Sequence, residues 1–227
     1  MKAKDVMVRA SVTLLDEEFV RWPMLELAGY IDEAVKAIVS VKPSASSATM
    51  TLSLLAGTKQ VLPTDSRIVQ LLDIMRNLGT GGVGGRVIRS TSRASLDSNE
   101  PNWHNPVSVP FRKEVRQFVF DEILPLEYYV YPGNDGTGTV EAAVSKLPAS
   151  VVDSHTGDAA VLSTWDIDVG IADIYLPPVI DYTLYRAFSK EDPAASPQRA
   201  ITHFQAFATA IGLKSQVESS TSPGRKR

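Results

Sequence analysis

The stretch Tyr175–Arg199, YLPPVIDYTLYRAFSKEDPAASPQR, decides the fold class. Adjacent prolines at Pro177 and Pro178 fit only the first turn of a helix, where a missing N–H costs nothing. Ile180, Leu184, Ala187 and Phe188 then fall on one helical face. Asp192 and Pro193 are predicted to close that helix. Ser196 followed by Pro197 reads as an N-cap and first-turn proline of another helix. Ala200, Phe204, Phe207, Ala208 and Ile211 follow at i, i+4, i+7, i+8 and i+11, and Gly212 is expected to stop it. Nothing here supplies catalytic equipment. Tyr182, Tyr185, Arg186 and Phe188 share one helix and suit packing against a neighbouring subunit, because Tyr and Arg carry interface energy well.

The other end of the chain is helical too. Ala3, Met7, Ala10 and Leu14 have helical spacing, and LLDEEFVRW breaks the pattern. Pro23 suits the first turn of the next helix. Met24, Leu27, Ile31, Ala34 and Ile38 form its apolar stripe, and Pro43 ends it. Trp22 reads as a staple at the helix entry.

Between the two helical ends the period changes. Met50, Leu52 and Leu54 alternate as in a strand, and Val61 and Leu62 make a short second one. TDSRIVQLLDIMRNLG is ambiguous: Ile68, Leu71, Leu72 and Met75 fit a helix, and Val69, Leu71 and Met75 fit a strand. The following GTGGVGG favours a hairpin with its tip at Gly79–Gly85, and RVIRSTSRASL reads as strand. VRQFVF, EYYVYP and TVEAAVSK read as further strands, with a turn at Asn134-Asp135-Gly136. LPASVVDSHTGDAAV reads as loop. The expectation is an α+β protein: a helical bundle from the N- and C-terminal helices (1–43 and 171–213) with an antiparallel β domain inserted at 44–170. The polar segment 214–227, ending in Arg225, Lys226 and Arg227, reads as a flexible tail.

Composition narrows the function. The chain has 227 residues, 44% of them hydrophobic, and a formal charge of -3, which does not suit coating nucleic acid with a basic face. It has no Cys, so thiolate metal sites and disulfides are excluded. The opening residues lack the apolar core of a signal peptide, and no apolar run is long enough to span a membrane.

The candidate chemical motifs are weak. Gly79–Gly84 matches GxGxxG in spelling, but the following RVIRSTSR does not open a helix, as a dinucleotide site requires. The three His are scattered: His104 near Asp97 and Glu100, His155 between Asp153 and Asp158, His203 beside the apolar face of the last helix. None has the spacing of a metal motif; His155 reads as part of a solvated polar loop rather than a metal ligand, and His203 as a partly buried, hydrogen-bonded His. Arg86, Arg89 and Arg93 would line one predicted strand, as a solvated face or as contacts to phosphate. No catalytic, metal or cofactor residues are assigned, and the chain does not read as an enzyme.

Four segments go further when taken together. RWPMLELAGYIDEAVKAIVSVKP carries Trp22, Glu26, Leu27, Ile31, Asp32, Ala34 and Pro43. LLAGTKQVLPTDSRIVQLLDIMRNLG carries Gly57, Thr58, Gln60, Leu62, Pro63, Arg76 and Asn77. SRASLDSNEPNWHN carries Arg93, Leu96, Asp97, Pro101, Trp103 and His104, followed by Val130–Pro132. PPVIDYTLYRAFSKEDPAASPQRAITHFQAFATAIGLK carries Asp181, Tyr182, Leu184, Tyr185, Arg186, Ala187, Ser189, Lys190, Asp192, Ala200, Phe207 and Gly212. This pattern, spread to Lys214, resembles the head-to-tail adaptor (connector) proteins of tailed phages, the short-tailed type above all. The Gly-rich tip departs from it.

The resemblance implies a structural virion protein without cofactors. It would form a homo-oligomeric ring, a dodecamer, beneath the portal protein, with the helical parts as ring body and the C-terminal tail embracing the portal. It would extend the DNA channel, let DNA pass without specific binding, and attach the tail nozzle or next tail component. Its place would be the neck of the virion, and the host cytoplasm during assembly. The competing reading is a soluble carbohydrate-binding or hydrolytic module whose inserted domain uses Trp103, Trp165 and Tyr128–Tyr131. A tail-tube or head-completion protein would differ only in its neighbours.

Overall fold

In the computed structural model, which describes residues 1–64, 67–190 and 196–221 (side chains as far as Gly212), helices stand at both ends of the chain and a β region is inserted between them. The chain divides into two compact units. One comprises 1–46 and 147–227, the other 47–146. Leu147–Gly170, read from sequence as part of the β domain, thus belong to the helical unit.

The helical unit is built on α1 (Ala3–Leu14), α2 (Met24–Val41), the short α4 (Val151–Ser154), α5 (Leu176–Phe188) and α6 (Pro197–Thr221). α1 ends where Leu15 turns left-handed (φ 57°), its N–H bonding back to the Ser11 and Val12 carbonyls. The Asp16 carboxylate then accepts the N–H groups of Val20, Arg21 and Trp22 at 2.9–3.1 Å, and so fixes the corner that interrupts the helical period. Pro23 is the N-cap of α2. The expected stripe of α2 is buried, with Leu27, Ile31, Ala34 and Ile38 fully covered. Burying side chains such as Leu27 and Ile31 stabilises by about 1.5–3 kcal/mol each. Trp22 does more than staple the helix entry: it is buried, and its indole N–H donates to the Ala187 carbonyl of α5 at 3.2 Å. Asp32 on the flank of α2 accepts from the Ser150 hydroxyl (2.6 Å) and the Val151 and Val152 N–H groups, anchoring the start of α4. Trp165, just after the segment read as loop, is fully buried, with its indole N–H on the Ala159 carbonyl.

Two expectations for the last helix are corrected. Gly212 does not stop it; α6 runs on to Thr221, because a lone glycine inside a long helix costs only about 1 kcal/mol. Its buried face is Ala200, Phe207 and Ile211; Ala208 and Phe204 are exposed.

The β unit contains two four-stranded sheets. The first has the order β1 (Ser47–Ser53), β8 (Thr139–Lys146), β3 (Ile68–Leu78), β4 (Gly84–Val87), all antiparallel. The second has the order β2 (Gly57–Val61), β7 (Glu127–Asn134), β6 (Gln117–Phe120), β5 (Arg89–Ser90); only β5 runs parallel to its neighbour. Leu52, Leu71, Ile74, Val140, Ala142 and Val144 of the first sheet share one core with Phe118, Tyr128 and Val130 of the second. The ambiguous stretch is β3. Register shifts against β8 at 68/70, 71/73 and 74/76 each insert an extra residue, so that buried positions fall at Leu71, Ile74 and Asn77. That spacing of three imitates a helix although the backbone is extended.

Arg93 does not continue a strand. Ser92 accepts the Ser95 N–H and caps the short helix α3 (Arg93–Asn99). Arg86 is on β4 of the first sheet and Arg89 on β5 of the second, so the basic row expected along one strand does not form.

Candidate interaction surface

α5 and α6 bring together most of the aromatic residues singled out at this end of the chain. Tyr182 meets Phe207 edge-on at 5.1 Å between ring centroids, Tyr185 meets Phe204 at 5.0 Å, and the two tyrosines contact each other at 5.6 Å. Phe188 is buried inside the helical unit, stacked on His203 and covered by the Arg199 guanidinium at 5.5 Å. His203 in turn binds the Asp181 carboxylate at 2.9 Å, tying α6 to α5.

Beside this ladder lies an open groove of about 590 Å³ lined by Tyr185, Phe188, Lys190, Ala200, Ile201 and Phe204, among others. Phe204 and Ile201 are 45% and 51% exposed. An aromatic and a β-branched side chain thus stand exposed on the rim of an apolar groove. The sequence placed Phe204 in the core and passed over Ile201. Both lie next to true core positions, and a stripe of helical period does not say how wide the covered face is.

Charge borders the groove. Lys190 donates to Glu26 at 2.7 Å, and the Tyr30 hydroxyl donates to the other oxygen of the same carboxylate at 2.6 Å. Burial pushes the Glu26 carboxyl up, but these two donors outweigh it and hold it below its ordinary value. The Tyr30 phenol is pushed well above its usual range by burial and by its bond to Glu26. Arg186 pairs with Glu33 and lies over the Tyr30 ring at 5.4 Å. Burial would lower its pKa, and Glu33 together with Tyr182 holds it above its ordinary value. Tyr182, Tyr185 and Arg186 are half-buried. Arg225, Lys226 and Arg227 lie outside the described residues.

The other candidates have structural roles. His104 is held by Thr58 at 2.7 Å, tilted against Trp103 at 3.7 Å and bordered by Tyr129. Burial, and then the nearby Arg93, keeps its pKa below the ordinary value against the pull of Asp97. Asp97 accepts the Trp103 indole N–H at 2.9 Å. His155 stacks on Trp165 and bonds Thr164 at 2.9 Å. Among the described residues no three His, Asp or Glu side chains are placed to share a metal ion. Gly79–Gly84 bends the β3–β4 hairpin through a short 3₁₀ turn, with φ of 72° at Gly81 and 78° at Gly82, and opens no α-helix. Trp103, Trp165 and Tyr128, expected as a ligand platform in the competing reading, are at most 2% exposed, and Trp165 is in the helical unit.

Among the described residues no helix is long and apolar enough to cross a membrane. No curated protein matches the chain. A family model described as SU10 adaptor protein matches residues 1–227, its whole length. The buried Thr58, Gln60, Asn77 and Trp103, with Asp97 and His104 bonded to two of them, thus sit in a chain that belongs to the SU10 adaptor protein family.

Proposed function

We propose that the chain is a structural adaptor of a phage virion, placed at the neck between the portal protein and the tail. The observation that carries this reading is the family match over the whole chain; the exposed Phe204 and Ile201 beside Tyr185 add a surface suited to it. Copies assemble as a closed ring, a dodecamer by resemblance, beneath the portal. A closed ring needs two different faces on each subunit, and the α5–α6 groove is one of them, with Tyr182, Tyr185 and Arg186 behind it. Arg225, Lys226 and Arg227 contact the portal. The far side of the ring takes the tail nozzle or next tail component. A chain of net charge -3 extends the DNA channel without gripping the DNA that passes. Assembly takes place in the host cytoplasm, and the role involves no turnover of substrate.

The test is to mix the purified chain with the portal protein of its phage and measure the mass of the product by light scattering. A product of fixed stoichiometry and ring size is expected. A chain that stays apart from the portal at every concentration overturns the reading.

A further inference from the structure

The first sheet of the β unit ends in two strands whose outer edges no described residue bonds. β1 is seven residues long, SATMTLS, without charge or proline, and only Leu52 in it is buried. Edge strands are ordinarily blunted by charge, proline, bulges or brevity. β1 has none of these, and it pairs with β8 without a register shift.

The direction of its free hydrogen-bonding groups follows from the register. The Leu54 N–H donates to the Gly138 carbonyl across the β8 side. Bonding alternates along an antiparallel pair. Even-numbered residues of β1 therefore face β8, and Thr49, Thr51 and Ser53 turn N–H and C=O outward. β4, at the opposite edge, is exposed at all four positions. The Ile88 N–H bonds the Met75 carbonyl, so Val87 faces outward; the Gly79 N–H bonds the Val83 carbonyl and the register shifts between Arg76 and Leu78, so Gly85 and Arg86 both face β3. Val83 and Val87 are 68% and 65% exposed.

We propose that β4 of one copy adds to β1 of the next, continuing the sheet across the joint through Thr49 and Thr51 on one side and Val87 on the other. Every pair in this sheet is antiparallel, so β1 and β4 run in opposite directions. Setting β4 beside the β1 of a second copy preserves the alternation. One kind of joint then covers both open edges, whereas a β1–β1 joint across a two-fold axis leaves β4 open. Such a joint is heterologous, the kind that closes a ring when the rotation per copy divides the full circle. The inference rests on the ring reading above and supplies a contact separate from the α5–α6 groove.

The chain has no Cys, so single thiols can be placed at will. Thr49→Cys and Val87→Cys proteins are mixed and treated with a short bismaleimide, both as the concentrated chain alone and as the product formed with the portal protein. A cross-link between the two variants in either setting, with none in Thr49→Cys alone, is expected. Thr49→Pro removes only an outward N–H, which an edge strand tolerates. It is expected to raise the concentration for half-assembly at least about tenfold, with Tm within about 2 °C of the parent. A cross-link in Thr49→Cys alone overturns the proposal in favour of a two-fold joint. A product that forms with the portal without the mixed cross-link overturns the edge joint and leaves the adaptor reading standing. No product in either setting overturns both.

Discussion

Asn77 serves three main-chain groups with one buried amide. It donates to the Arg86 and Val115 carbonyls at 2.9 and 2.8 Å and accepts the Val115 N–H at 2.9 Å. Asn77→Ala strands all three, and a buried group left unpaired costs about 1–3 kcal/mol. The variant is expected to lose about 2–4 kcal/mol in urea denaturation, on the scale of the larger single-site effects. Glu26 gives a pH signature. Its carboxyl titrates below its unfolded value, so its contribution is complete above the unfolded pKa, about 4.3, and is lost as pH falls through the lower folded value. Glu26→Gln should therefore melt below the parent at pH 6, with the gap narrowing as pH falls below about 4; a melting series over that range checks it. Both residues stood out in the sequence only through a resemblance, because a single polar letter does not announce which carbonyls or cations the fold will bring to it.

Elements were legible where local pattern and burial agree. The stripes of α1 and α2 report one buried face each, and the buried alternation of Val140, Ala142 and Val144 on β8 reports one covered sheet face. β3 defeated the period because its bulges shift the phase, and Arg93–Asn99 defeated it because Ser92 caps a helix too short to show a stripe. α6 defeated the expected stop. A side chain built at Gly212 meets nothing within 4 Å, so Gly212→Ala is expected to stabilise the helix by about 0.5–1 kcal/mol, read as a higher Tm. A lower Tm would mean that the position needs the freedom of glycine after all.

For the whole molecule the test lies in separating folding from assembly. Ile201 and Phe204 are half-exposed, so replacing both by Ser should change Tm little. If the groove is a ring face, the same double variant should weaken the portal-bound product about tenfold or more, as truncation of central interface anchors does. Light scattering with the portal measures the product, and thermal melting of the free chain measures the fold. A Tm loss as large as the assembly loss would return these side chains to a structural role.

The sequence by itself determined the α+β class, the helical ends around an inserted β region, the absence of thiol chemistry and, through positions scattered along the chain, the adaptor family. These are properties of local periodicity, composition and accumulated identity, each readable without knowing which segments meet. Only the tertiary structure decided that Leu147–Gly170 belong with the helices, that Phe188 is core while Phe204 and Ile201 are surface, and that β1 and β4 are the open edges of one sheet. Those facts depend on pairings between residues far apart in the chain, and the free energy that selects them comes from burial and hydrogen bonding across the pair, which no local pattern records.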